Sequence, residues 1–253
     1  MIELRGIVKR FGAHTAVQPL DLTVRSGEIF GFLGPNGAGK TTTVKMITGL
    51  LKPTEGTVTV AGYDVAERTL EAKRVMGLVP DEPFVYPKLT GEEYLRFVGD
   101  LYGVPLDHQR RRVPELLAMF ELDRWAGELL ESYSHGMRQK LVIAGILLHE
   151  PKVLILDEPM VGLDPKSARM VKDILQTLAQ RGTTIFMCTH VLEIAEKLCH
   201  RVGIMIQGRM IALGTLDELR GSRGASDSSK APLEDIFLSL TGGHEYTALL
   251  KNL

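Results

Sequence analysis

The stretch GPNGAGKTT, Gly34 to Thr42, sits between the apolar run Ile29-Phe30-Gly31-Phe32-Leu33 and Val44-Lys45-Met46-Ile47. It fits the spacing G-x-x-x-x-G-K-[ST] with a predicted strand before it and a predicted helix after it, the setting in which that pattern has a physical meaning. Gly34, Gly37 and Gly39 carry no Cβ, so the backbone through Asn36 and Ala38 can curl and turn several N–H groups toward one anion. The helix starting at Lys40 adds the positive end of its dipole. Lys40 is expected to reach the β- and γ-phosphates of a nucleoside triphosphate, Thr41 to ligate Mg²⁺, and Thr42 to meet a further phosphate oxygen.

Hydrolysis needs a place for a metal and a water as well. After Pro151 the run Val153-Leu154-Ile155-Leu156 reads as a strand covered on both faces. It ends in Asp157, which puts a carboxylate at the carboxyl edge of a sheet, where it can hold Mg²⁺ through water. Glu158 follows as the candidate general base. Carboxylates there also suit a plain turn cap, but the glycine loop and the strand end agree on one site.

The surroundings predict an α/β protein with a mainly parallel sheet core, because strands alternate with helices, together with an N-terminal antiparallel β subdomain and a helical insert. Residues 1–27 and 56–79 read as short strands with turns. A helix is expected from Lys40 to near Gly49. From Thr90 the pattern turns helical: Thr90 and Glu93 form a capping box, and Tyr94, Phe97, Val98, Leu101 and Tyr102 recur at helical spacing. Residues 88–150 therefore read as a helical insert in a single domain spanning 1–220, whose β and core segments are 1–87 and 151–220. Asp164 and Pro165 open a helix carrying Val171, Ile174, Leu175 and Leu178, closed near Gly182. Thr183 to Cys188 is another buried strand, and Val202–Ile206 with Met210–Leu213 a hairpin. Gly221 to Pro232 reads as a mobile polar loop, followed by a short helix with Leu233, Ile236, Phe237 and Leu240.

Composition narrows the function. Thirty basic against 31 acidic residues leave a net charge of -1, without the positive field of a dedicated nucleic-acid binder. The run Arg110-Arg111-Arg112 fits a solvated helix face. The longest strongly apolar stretch, Leu141 to Leu148, is far short of the ~20 residues that cross a bilayer, and the opening MIELRGIVKRF lacks a leader's apolar run, so a cytosolic chain is expected. Cys188 and Cys199 read as reduced thiols rather than a disulfide or metal site.

The remaining segments are weak alone. Ser134, in Ser134-His135-Gly136-Met137-Arg138-Gln139, fits an ordinary N-cap; Gly162-Leu163-Asp164 fits a turn, His190 an edge histidine and Phe11 a core aromatic. Taken together and in this order, these residues closely resemble the nucleotide-binding subunit of ABC (ATP-binding cassette) transporters over almost the whole chain. In that family's terms GPNGAGKT is the Walker A motif, LILDE the Walker B, YSHGMRQ the signature, GLD at 162–164 the D-loop and His190 the switch histidine. Phe11 resembles the aromatic that stacks on adenine, with Val17 alongside.

The resemblance implies an ATPase that uses Mg²⁺ and a head-to-tail pair, identical or related chains, with each ATP held between Walker A of one and Ser134 and Gly136 of the other. It implies a polytopic membrane subunit on a separate chain, which would place the protein at the inner face of the membrane. The variants PDEP and YSHGM are similar to exporter ATPases of the multidrug, lipid or antibiotic efflux branch. Two positions depart: Asp81 stands where the Q-loop glutamine is usual, a carboxylate able to contact Mg²⁺ or water, and His135 and Met137 replace glycine and glutamine in the signature. Phe84, Tyr86, Tyr94 and Phe97 are expected either to line a groove for a short helix of the membrane partner or to fill the helical lobe's core. The alternative functions are a soluble ATPase of the same type acting on ribosomes or nucleic acid, and a P-loop kinase, which Glu158 beside Asp157 disfavours.

Overall fold

The fold is that of a computed structural model, which describes residues 1–221 and 232–241. The loop expected from Gly221 to Pro232 therefore lies, between its two end residues, outside the described residues. Two sheets organise the chain. The first is antiparallel, in the order β2(His14–Val24)-β1(Ile2–Phe11)-β4(Glu55–Val60)-β5(Tyr63–Asp64). The second has the order β10(Arg209–Gly214)-β9(Arg201–Ile206)-β3(Ile29–Leu33)-β8(Thr184–Cys188)-β7(Val153–Asp157)-β6(Met76–Val79), parallel throughout except at the β10 edge.

Burial explains why the central strands read as unbroken apolar runs. All five residues of β3, β7 and β8 are buried. On β7, Leu154 and Leu156 join the cluster formed with the helices, whereas Val153 and Ile155 join the cluster under the antiparallel sheet. Alternate side chains of a strand point to opposite faces, so a sheet covered on both sides needs no polar positions. Phe30, Phe32 and Phe186 pack ring on ring on one face, with centroids 5.2 to 6.5 Å apart.

Between β6 and β7 come three α-helices, α3(Gly91–Leu101), α4(Leu106–Met119) and α5(His135–Leu148), with two short 3-10 turns, Asp123–Trp125 and Leu130–Ser132, between the last two. The capping box is present at α3, Thr90 accepting from Glu93 N and Glu93 from Thr90 N. The apolar stripe differs from expectation. Tyr94, Leu95 and Val98 are buried, but Phe97 and Leu101 are exposed, because Leu95 fills the place beside Tyr94 and Val98 that faces α5. Helix α1(Lys40–Ile47) is followed by Gly49 at φ +67°, closing where expected.

Three further differences concern short or long elements. Strands β1 and β2 run 10 and 11 residues rather than being short. Helix α2(Thr69–Arg74) occupies a segment expected to be strand and turn, and α7(Leu192–Leu198) follows β8 with no sequence expectation attached to it. Neither has a capping side chain at its N-terminus, so both lack the start signal that marks a helix, and α2 buries a single side chain, Ala72, so it lacks the periodic signal as well. Helix α6(Pro165–Gln180) begins at the Asp164 cap as expected, and α8(Leu216–Gly221) and α9(Leu233–Thr241) complete the described chain, with Leu233 and Ile236 buried.

Candidate nucleotide site

The loop after β3 is tightly hemmed in. A Cβ on Gly34 would stand 2.3 Å from the Met205 carbonyl oxygen, and one on Gly39 would stand 2.6 Å from that of Ala16. Glycine is thus required at both positions by the approach of neighbouring backbone. Gly208 N donates to Ala38 O at 2.9 Å, tying the loop to the β9–β10 turn. Helix α1 starts at Gly39 with no side-chain cap and no acidic residue in its first turn, so its leading N–H groups face the cleft without a protein anion to satisfy them.

Lys40 is 8% exposed, and its Nζ donates to Gly34 O at 2.6 Å and Pro35 O at 3.1 Å. A buried ammonium on two loop carbonyls is a cation waiting beside a phosphate-shaped turn. The cleft over this loop has a volume of about 370 Å³ and is lined by Phe11, His14, Ala16 and residues 36–42.

 The walls are what matter for a ligand: Phe11 is half exposed, and His14 pairs with it across the β1–β2 turn. Lys9 Nζ lies 5.2 Å from the Phe11 ring centroid. Val17, expected beside Phe11 against a base, is wholly buried in the core under the antiparallel sheet, because strand alternation turns it inward. That expectation is corrected: His14 and Ala16 line the cleft in its place.

Asp157 ends β7 nearly buried, and its carboxyl is pushed up to about 6 by burial first, then by the charges of Asp81 and Glu158; Lys40 and a hydrogen bond from Thr41 act in the opposite sense. Asp157, Asp81, Thr41 and Lys40 are therefore electrostatic neighbours. A buried carboxylate raised in this way is relieved by a cation, so the group fits Mg²⁺. Among the described residues no cluster of three or more His, Cys, Asp or Glu forms a self-sufficient metal site. A cation held by one or two carboxylates and completed by phosphate oxygens suits that donor set.

Glu158 is held in the left-handed region at φ +49°, unusual for a residue with a Cβ. Its N donates to Cys188 O at 2.9 Å, which pins the turn to the end of β8. The carboxylate meets His190 twice, at 2.8 Å from the backbone N and 2.6 Å from Nδ1. Because a carboxylate only accepts, that Nδ1 carries the proton. His190 is thus Glu158's partner rather than an isolated edge histidine. Thr189 Oγ1 also donates to Glu158, at 3.0 Å. Sequence reading passed over Thr189, His14 and Ala16; period-two alternation along β2 sets the last two on the face opposite Val17, without saying which face looks outward.

The signature residues form a second group. Ser134 is exposed and caps α5, its Oγ accepting from Met137 N at 3.3 Å, so the N-cap reading holds and the hydroxyl proton is still available to an acceptor. A Cβ on Gly136 would stand 2.7 Å from Gly162 O, which puts the start of α5 against the 162–164 turn. Asp164 accepts from Ser167 N at 3.0 Å and Ser167 Oγ at 2.5 Å, and Ser167 holds its carboxyl below the usual range. Ser134, Gly136 and Asp164 do not line the cleft over the glycine loop. One chain therefore presents two separate candidate surfaces, the loop with the carboxylates and the start of α5 with the 162–164 turn.

Known proteins match this arrangement. The family pattern for ABC transporters matches residues 17–161. The linearmycin resistance ATP-binding protein of Bacillus subtilis is 40% identical over 87% of this chain and 70% of its own length. The daunorubicin/doxorubicin resistance ATP-binding protein of Streptomyces peucetius is 41% identical over 89% of this chain and 68% of its own. Among solved structures, the ATP-binding subunit of an ABC transporter superposes with a TM-score of 0.90 at 34% identity, covering 95% of this chain and 99% of that one. A dimeric ATP-binding cassette in a post-hydrolysis state with ADP and Pi superposes with a TM-score of 0.79 at 26% identity, covering 85% and 99%. The chain belongs to the ABC transporter family and is one of its ATP-binding, ATP-hydrolysing cassettes.

Proposed function

We propose that two such cassettes close around two ATP molecules and that the cycle of closing and opening drives export through a separate membrane-spanning subunit. The observation that carries this reading is the separation of the two surfaces: the glycine loop and the exposed Ser134 end of α5 belong to different parts of one chain, so a second copy or a related chain would complete each site. The solved dimeric cassette with ADP and Pi supports the pairing by similarity.

In this reading Lys40 leaves the Gly34 and Pro35 carbonyls for the phosphates, and the uncapped N–H groups of α1 hold the same anion. Thr41, Asp157 and Asp81 would hold Mg²⁺, which supplies charge neutralisation on the phosphate oxygens when bound. Phe11, with His14 and Ala16 beside it, offers a flat face to the base. Glu158 takes the proton of the attacking water while His190 keeps its carboxylate oriented. Ser134 and Gly136 of the opposite chain add a hydroxyl proton and backbone N–H groups to the terminal phosphate, so loss of that phosphate removes the link between the chains. Asp164, engaged in capping α6, acts by shaping the turn.

An exposed aromatic ladder supports the membrane partner. Phe84 and Tyr86 meet edge to face at 5.6 Å and Tyr86 and Phe97 at 5.3 Å, and all three are exposed, with Phe84 at 72%. Tyr94, expected with them, is in the core. Among the described residues no helix is long and apolar enough to cross a membrane, and two relatives carry names of antibiotic resistance proteins. This is the basis for placing the cassette at the inner face of the membrane beneath an efflux subunit. The nucleic-acid alternative gains nothing from Arg110 and Arg112, which pair with Asp107 and Glu115 on their own helix.

The test is co-purification from membranes. The native chain should bring down a polytopic protein, and Tyr86→Ala with Phe97→Ala should lose it while still binding ATP. Recovery of ribosomal or nucleic-acid complexes, with no membrane protein, would contradict the reading.

A further inference from the structure

Glu158 is the proposed base, but a base works only if its free lone pair faces the water, and the carboxylate has about four acceptor positions on its two oxygens. On Oε1, His190 N and His190 Nδ1 take both. On Oε2, Thr189 Oγ1 donates at 3.0 Å, and among the described residues no other hydrogen bond reaches that oxygen. The open acceptor position is therefore on Oε2, next to the Thr189 hydroxyl.

Thr189 is itself fixed. It is 2% exposed and follows directly on β8, whose residues are all buried. Its Oγ1 accepts from Val191 N at 3.0 Å, and a hydroxyl has one proton, so the proton goes to Glu158. The backbone of the Glu158 turn is already anchored by Glu158 N on Cys188 O, without help from the Thr189 side chain. The hydroxyl thus acts on the carboxylate's rotation, not on the path of the chain.

We propose that Thr189 is a positioning residue for hydrolysis: its hydroxyl fixes Glu158 Oε2 so that the one open lone pair is presented to the attacking water. This rests on the reading of Glu158 as base. A misplaced base costs rate rather than affinity, so the effect belongs in kcat.

The experiment measures ATPase kinetics of the full chain for Thr189→Val, Thr189→Ser, Glu158→Ala and Glu158→Ala with Thr189→Val. Valine keeps the shape and removes the donor. The expected result is a fall in kcat of about 10-fold to 10²-fold for Thr189→Val with KM for ATP nearly unchanged, and near-native turnover for Thr189→Ser. In the Glu158→Ala background the valine should have no further effect, since the group it acts through is gone. The proposal is overturned if Thr189→Val turns over normally, if serine fails as badly as valine, or if the valine loss persists without Glu158. An unchanged rate for Glu158→Ala alone would instead remove the base assignment itself, and the positioning role with it.

Discussion

Lys40 shows how a residue's setting becomes a measurable consequence. Its ammonium is nearly buried with two carbonyls as partners, inside a loop where Gly34 and Gly39 leave no room for a side chain. A hydrogen bond to a charged group is worth about 1.5 to 3 kcal/mol, and each 1.4 kcal/mol is tenfold in affinity. Lys40→Ala should therefore weaken ATP binding by at least about tenfold to 10²-fold. Equilibrium titration with a fluorescent ATP analogue checks it, and unchanged affinity would remove Lys40 from the phosphate site. The residue scale is also where sequence reading did best and worst. The spacing from Gly34 to Thr42 needed no tertiary knowledge, because glycine, lysine and hydroxyl positions are set by one local turn. Val17 failed because which face of β2 looks outward depends on what packs beneath it, and Thr189 was invisible because its importance lies in a contact with a residue 31 positions away.

At the scale of elements, caps were legible and faces were less so. Thr90, Ser134 and Asp164 each cap the helix that follows, since a side-chain oxygen before a helix answers a local need. Helix α3 shows the limit: its apolar residues lie on two faces, one buried against α5 and one, with Phe97, exposed beside Tyr86, and periodicity alone does not say which neighbour each face meets. The end of α5 carries a further consequence. His149 stacks on Tyr102 at 3.7 Å with rings 4° from parallel, and among the described residues neither buried ring nitrogen has a hydrogen-bond partner. Burial lowers its pKa from 6.5 to about 4. Between those values the unfolded chain takes up a proton that the folded chain refuses, so stability is full above about 6.5 and falls as the pH drops toward 4, by up to roughly 1.4 kcal/mol per pH unit. His149→Phe keeps the stack and removes the titration. Urea unfolding should show the variant losing less stability than the native chain between pH 7.5 and pH 5, and parallel losses would contradict the assignment.

For the whole molecule, the parallel sheet gathers the chemistry at one edge. The glycine loop follows β3, Asp157 ends β7 with Glu158 after it, and Thr189 and His190 follow β8, so three neighbouring strands deliver the loop, the carboxylates and their partners to the same end. The sequence order of motifs made this arrangement readable, because alternating strands and helices imply parallel strands whose carboxyl ends coincide. In the proposed pairing each site takes one half from one chain and the other half from its partner. Ser134 stands apart from the loop cleft, at the exposed start of α5, and in this proposal the two meet only between copies. A structure of Glu158→Gln bound to ATP and Mg²⁺ tests it most directly: each terminal phosphate should touch Lys40 of one copy and Ser134 of the other, and a phosphate contacted by residues of a single copy would contradict the account.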